Sequence, residues 1–413
     1  MTDWRRPALQ VSRSRVWKCR RINMPRAPSS SLELFTTDAL LDPFPVYRKL
    51  RDLGPVVWLD AYGMFVLPRY AEVRGALENW EVFSSAGGVT MNDEMNEKLK
   101  GGLLCSDPPN HETLRKVIER PLTPKALSSL RERVTAEAEA IVEKVVAKGT
   151  FDVASELAPH LPVSIVSELV GLPEEGRERM LDWAPANFDC FGPINARTTA
   201  AFPVVGEMVH YAFTQCVPGK LKPGGWAQMI WDAADRGEID PTICPFLMND
   251  YMGPSLDTTI FATISAIWLF ARHPAEWDIV RGNPALLPQA INEAIRIESP
   301  IQAFSRYVAK DHEMDGVRLP KGSRAILLFG SANRDERRWD DADHFQVNRR
   351  GTNEHLGFGF GEHQCVGNNL ARMEIRALLS ALTKRVKRFE LLEMERGVNN
   401  VLRGIRKCVV SVH

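Results

Sequence analysis

The chain has 413 residues, with 52 basic and 52 acidic side chains and a formal net charge of zero. Its 44% hydrophobic and 25% charged content is that of a globular protein and excludes a disordered, collagen-like or disulfide-stapled chain. The charge balance exerts no global pull toward nucleic acid or an anionic membrane, and seven scattered cysteines fit reduced thiols in a cytoplasmic protein.

Residues 1–31 read as a basic, disordered extension. Arg5, Arg6, Arg13, Arg15, Lys18, Arg20, Arg21 and Arg26 face a single acid, Asp3. The segment lacks the apolar core of a secretory signal. A transit peptide is the alternative reading, and Met24, followed by PRAPSSS, is a second plausible start. A single folded domain is expected over 32–413. Within it, 42–55 predicts a short helix stopped at Gly54-Pro55, and VVWLDAYGMFVLPRY predicts a hairpin. A helical pattern covers 111–147, with Gly149 as its C-cap. Further helical patterns cover 163–171, 174–188, 200–215 and 224–236, and one long helix is predicted over 243–272. No run reaches the ~18–20 apolar residues of a membrane span. The most apolar stretch, 258–271, reads as a buried core helix, so no membrane anchor is expected. Helical segments at AEWDIVRG and LLPQAINEAIRIESP precede a β-rich stretch, a loop-rich segment over 331–360, a helix opened by Cys365 and a β-type tail. The fold class is mainly α with a minor β part.

The segment Gly357-Phe358-Gly359-Phe360-Gly361-Glu362-His363-Gln364-Cys365-Val366-Gly367 is the most specific signal. Its glycines let the backbone approach a flat cofactor closely. A cysteine at the start of a helix is placed for its thiolate to be stabilised by backbone N–H groups and the helix dipole. Such a thiolate suits a haem iron. A lone cysteine in a glycine-rich loop would be read as structural; the complete F-G-x-G-x-H-x-C-x-G pattern is not.

With this motif the chain resembles the cytochrome P-450 superfamily, the haem-thiolate monooxygenases, from about residue 32 to 411. The resemblance implies a haem b buried between the long central helix and the cysteine loop, with Cys365 as axial ligand of the iron. Glu293 and Arg296, on one helix face at i, i+3, match the family's Glu-x-x-Arg pair, and Arg349 matches the third member of that structural network. His111, Arg115, Arg306 and His363 match the propionate-binding positions, with Phe358 and Gly367 beside them in the haem site. Asp257-Thr258, 108 residues before Cys365, matches the acid–alcohol pair that delivers protons during oxygen activation. The family usually places a small pair just before the acid. Here the chain reads Gly253-Pro254-Ser255-Leu256, and Pro254 is expected to kink the central helix.

The nearest resemblance is to bacterial members that oxidise para-substituted benzoates, including O-demethylation of methoxybenzoates. It implies a small aromatic substrate enclosed by Phe188, Phe191 and Phe304, with O2 as co-substrate. Members that bind benzoates bring Arg and Ser residues toward the carboxylate where this chain has Asn249, Asp250 and Gly253. A carboxylate at Asp250 disfavours a benzoate and favours a phenol or a cation. Lys98 and Lys100 are the alternative source of positive charge. No flavin or nicotinamide fingerprint accompanies the motif, so electrons are expected from a ferredoxin-type iron–sulfur protein with its reductase. It would dock near Arg372, Arg376, Lys384, Arg385, Lys387 and Arg388. The alternatives are a peroxide-driven peroxygenase, which the acid–alcohol pair argues against, and a haem-containing binder or sensor without turnover.

Overall fold

The computed structural model describes residues 27–413 apart from 174 and 176–178. Most of the expected basic extension therefore lies outside the described residues. Its last residues do not behave as an extension. Strand β1 (Ser29–Ser30) runs parallel to β2 (Val57–Leu59), and Trp58 N donates to Pro28 O at 2.9 Å. These are backbone bonds, which carry no hydrophobic pattern in the sequence.

The expected hairpin is β2 followed by β3 (Met64–Leu67), closed through Gly63 at φ 63°. Short β4 is Phe83–Ser84 and β5 is Thr150–Asp152. The late β-rich stretch gives β6 (Ala303–Val308), β7 (His312–Met314), β8 (Val317–Leu319) and β9 (Arg324–Leu328). The tail gives β10 (Phe389–Arg396) and β11 (Ile405–Val412). The main sheet has the order β1-β2-β3-β9-β6-β4, a second has β10-β11-β5, and β7 pairs with β8. Side chains alternate across the main sheet as a two-residue period requires. Phe65, Leu67, Ala325 and Leu327 fill one core cluster, while Val66, Ile326 and Leu328 fill another on the opposite face.

The helices that build the site are α1 (Asn110–Glu119), α2 (Arg131–Val146), α3 (Met180–Asp189), α4 (Ala196–Thr214), α5 (Trp226–Asp235), α6 (Cys244–Met252), α7 (Asp257–Arg272), α8 (Leu287–Glu298) and α9 (Asn368–Arg385). The pattern read over 111–147 is split between α1 and α2, because Pro121 and Pro124 each start a new turn. Helix α7 is apolar on all sides, with Ile260, Ile264, Ile267 and Phe270 buried, as befits a central core helix. By length and composition the stretch Pro241–Arg272 could cross a membrane, but its most apolar part is mostly buried inside the protein.

The long helix predicted over 243–272 is not continuous. It stops at Met252, crosses Gly253–Leu256 without helical structure and restarts at Asp257. Pro254 has no N–H to give to Asp250 O. Side chains replace the missing bonds: Ser255 Oγ donates to Tyr251 O, and Thr258 Oγ1 donates to Pro254 O at 2.9 Å. The expected kink is thus a four-residue break.

Helix α8 is fastened to the loop-rich segment by a buried ion network. Arg296 donates to Glu293 from Nε (2.7 Å) and Nη2 (2.8 Å), and Arg349 Nε donates to Glu293 Oε1 at 2.9 Å. Arg296 Nη1 also bonds Asn333 O and Ala342 O, which fixes the path of the chain toward the cysteine loop. Glu293 and Arg296 are fully buried, so each charge depends on the other.

Candidate active site

The loop before α9 winds through two 3-10 turns, Leu356–Phe358 and Gly361–His363. Two glycines have no substitute here. A Cβ at Gly357 would lie 2.6 Å from Ile295 Cγ2. Gly361 sits at φ 70°, where a Cβ would meet Leu77 O at 2.5 Å. Cys365 N donates to Phe358 O at 2.8 Å, which folds the loop back on itself. Helix α9 begins at Asn368, not at Cys365: the cysteine lies three residues ahead of the first turn. The N–H groups of Gly367 and Asn368 still reach the sulfur. Burial pushes the Cys365 thiol up, opposed by Gly367 N–H, Arg115, Arg372 and Asn368 N–H in that order. Arg372, spanning Asn292 Oδ1 (3.0 Å) and Asn368 Oδ1 (2.7 Å), packs over the Phe358 ring. Coordination to a metal cation would reverse the effect of burial and deprotonate the thiol.

Cys365 opens onto a cavity that also meets His111, Arg115, Arg306, Phe358 and His363. The four basic side chains converge from three parts of the chain. The His111 and His363 rings are 4.1 Å apart. His363 Nε2 contacts Ser106 O at 3.0 Å, and Arg115 Nη1 donates to Glu362 O at 3.1 Å. Arg306 is buried and donates from Nη1 to Ser305 O. Burial pulls Arg306 down to about 10, and burial with the neighbouring Arg306 and His111 pulls His363 down to about 2. Both His111 ring nitrogens are buried without a partner. Unpartnered ring nitrogens and a desolvated guanidinium, gathered beside a cysteine sulfur, suit a flat cofactor that carries carboxylates and a thiolate-binding iron. The residues present therefore fit the haem that the sequence motif implies.

Above the cysteine loop the wall is aromatic. Phe188 and Phe191 stand edge-on at 5.8 Å, as do Phe304 and Phe329 at 5.9 Å, while Phe191 and Phe304 are tilted at 6.0 Å. All four line the cavity, with Phe246. Thr258 and Asp250 line it too. Asp257 does not: it is buried in the first turn of α7, and burial pushes its carboxyl up to about 7. Gly253 also stays off the lining and lies against Asn187, where a Cβ would come within 2.9 Å of Nδ2.

Lys98 and Lys100 are not cavity residues. They pair with Glu94 and Glu97, each at 3.7 Å. Phe246, Phe329, Asn187 and Thr259 line the cavity but carry no motif that marks them in the sequence. A period-based clue existed for Phe246 alone, four residues before Asp250 on one face of α6. The basic residues of α9 have separate fates. Arg372 is engaged as described, and Lys384 and Arg385 both pair with Glu139 of α2. Arg376, Lys387 and Arg388 are exposed. Arg376 borders a groove whose other walls include Arg131, Glu139 and Arg372.

The model of the cytochrome P-450 family matches residues 280–407. The chain is 36% identical over 390 residues to cytochrome P-450 CYP199A2 of Rhodopseudomonas palustris, covering 93% of this chain and 94% of that one. It is 29% identical to linalool 8-monooxygenase of Pseudomonas putida, covering 94% and 99% of the two chains. Among solved structures, cytochrome P-450 CREJ in complex with (4-ethylphenyl) dihydrogen phosphate superposes with a TM-score of 0.82 at 25% identity, covering 92% of this chain and 99% of that one. An intact type IV self-sufficient monooxygenase superposes with a TM-score of 0.81 at 27% identity over 93% of this chain. The match spans about half, 53%, of that longer protein.

Proposed function

Because the chain belongs to the cytochrome P-450 family of haem b monooxygenases, we propose that its substrate is a small para-substituted aromatic, hydroxylated or O-demethylated with one oxygen atom from O2. The observation that carries this reading is the run of Phe188, Phe191, Phe304 and Phe329 rings, spaced 5.8–6.0 Å, in the same cavity as Cys365. Edge and face contacts of this spacing favour a flat aromatic ligand. The aryl phosphate bound by CREJ and the resemblance to oxidisers of para-substituted benzoates support it.

The haem supplies the electron uptake and oxygen insertion when bound. Cys365 Sγ would hold its iron as a thiolate. His111, Arg115, Arg306 and His363 would take its two propionates, Arg306 through a guanidinium suited to paired carboxylate bonds. Thr258 lines the cavity while its Oγ1 donates its own proton to Pro254 O. Its lone pairs are free to accept a bond from the reacting group. Asp257, near neutrality by burial, can hold a proton at its carboxyl and release it toward Thr258 at physiological pH.

Electrons are proposed to come from an acidic ferredoxin-type protein with its reductase, docking over Arg376, Lys387 and Arg388. The dispersed, free thiols among the described residues support a cytoplasmic setting. The test is reconstitution with NADH, a ferredoxin and its reductase. Formaldehyde release coupled to NADH oxidation is expected with 4-methoxy aromatics. Coupled oxidation of aliphatic terpenes alone would overturn the aromatic reading.

A further inference from the structure

Helix α6 ends in a polar patch that the aromatic wall does not explain. Asn249 and Asp250 both line the cavity. Asn249 Oδ1 is buried and has no hydrogen-bond partner. The Asp250 carboxyl is shifted by burial alone: no cation or donor opposes the shift. The cavity's four bases lie at the cysteine-loop end and leave no mark on it, and Lys98 and Lys100 stand off the cavity lining. Asn187 closes the same end, admitted by the missing side chain of Gly253. Buried acceptors without donors are unfavourable until something supplies a donor.

We propose that Asn249 and Asp250 form an acceptor pair that selects aromatic substrates bearing a hydrogen-bond-donating head, a phenol, benzylic alcohol or aryl-ammonium group, over the matching carboxylates. The inference rests on the aromatic monooxygenase reading. The donor head meets Asp250 and Asn249 Oδ1, the ring lies among the phenylalanines, and the opposite para substituent points to the cysteine-loop end. Once Asp250 is ionised, a carboxylate head would place acceptors against acceptors, with Coulomb repulsion added.

Soret spin-shift titrations of the haem-loaded chain test it with four ligands on one frame: 4-methylanisole, 4-methoxybenzyl alcohol, 4-methoxybenzylamine and 4-methoxybenzoate. The alcohol and the amine should bind at least about fivefold tighter than the benzoate. The amine should give the blue shift of displaced water, not the red shift of nitrogen on iron. Asp250→Asn and Asp250→Ser should each cost the amine about fivefold or more and strengthen the benzoate. Tighter benzoate binding by the parent, a red shift with the amine, or an unchanged order in both variants overturns the acceptor pair. If 4-methylanisole still shifts the spectrum in that case, the aromatic reading survives. No shift with any of the four ligands overturns both.

Discussion

Raising the pH from 6 to 8 should change which head groups the cavity accepts, because the Asp250 carboxyl changes charge in that window. Burial pushes it up to about 7, so the acid is neutral below that value and ionised above it. Its ionised fraction rises from about one-tenth at pH 6 to about nine-tenths at pH 8. A cationic ligand that requires the anion should therefore tighten about tenfold across the interval. A benzoate should weaken over the same interval, since the neutral acid can donate to it and the anion repels it. A neutral benzylic alcohol should change little. The neighbours of Asp250 leave this assignment testable. Burial pushes Cys105 up to about 12 and Tyr251 still higher, so neither titrates between pH 6 and 8. His363 is pulled down to about 2. Asp257, also near 7, does titrate there, and Asp250→Asn separates the two. The assay is the dissociation constant of 4-methoxybenzylamine from the haem spin shift at half-unit pH steps; the amine stays cationic throughout. A flat profile in the parent, or a tenfold profile that persists in Asp250→Asn, would refute the reasoning.

Cys365→Ala should abolish the thiolate-specific absorption of the reduced carbon monoxide complex; an unchanged band would remove Cys365 as ligand. Thr258→Ala should retain the substrate spin shift yet divert NADH electrons into hydrogen peroxide, whereas Asp257→Asn should slow turnover by removing the proton-holding carboxyl. Parent-like rate and yield in both variants would contradict the proposed relay. Glu293→Ala should strand the Arg296 and Arg349 guanidiniums in the core and lower stability by about 3–5 kcal/mol, a large share of a typical ~5–15 kcal/mol total. Urea unfolding followed by circular dichroism measures it, and a loss under about 1 kcal/mol would mean the network is not what holds α8.

The parts of the site legible in the sequence were those whose chemistry forces a local pattern. The cysteine loop needs glycines at 357 and 361 because backbone and side chains close in on both. Glu293 and Arg296 meet because i, i+3 residues share a helix face, and the structure adds Arg349 to them as expected. The aromatic trio came from the resemblance, and the rings do stand together. Less legible were features decided by backbone bonding or by distant partners. Helical periodicity runs straight through 243–272; the kink expected at Pro254 is a full four-residue break, and Asp257 stands off the cavity lining. Gly253 read as a pocket residue but serves Asn187. Lys98 and Lys100 read as spare charge, yet Glu94 and Glu97 at helical spacing already engage them. Phe329 opens a segment that supported the resemblance, but its place among the rings was not read, because it joins them through the pairing of β6 with β9.

The cavity draws its walls from residues as far apart as Leu77 and Ile375, and the main sheet joins strands before residue 70 to β9 at Arg324–Leu328. A chain growing on the ribosome thus has no complete site until all of these segments have emerged. Long-range pairing of this kind is slow, since loop closure precedes any reward from contacts. The propionate-facing bases and the sulfur belong to three separate stretches, around 111, 306 and 365. Cofactor capture is accordingly a late event, since the groups that would hold the haem reach one another only when the chain is nearly complete.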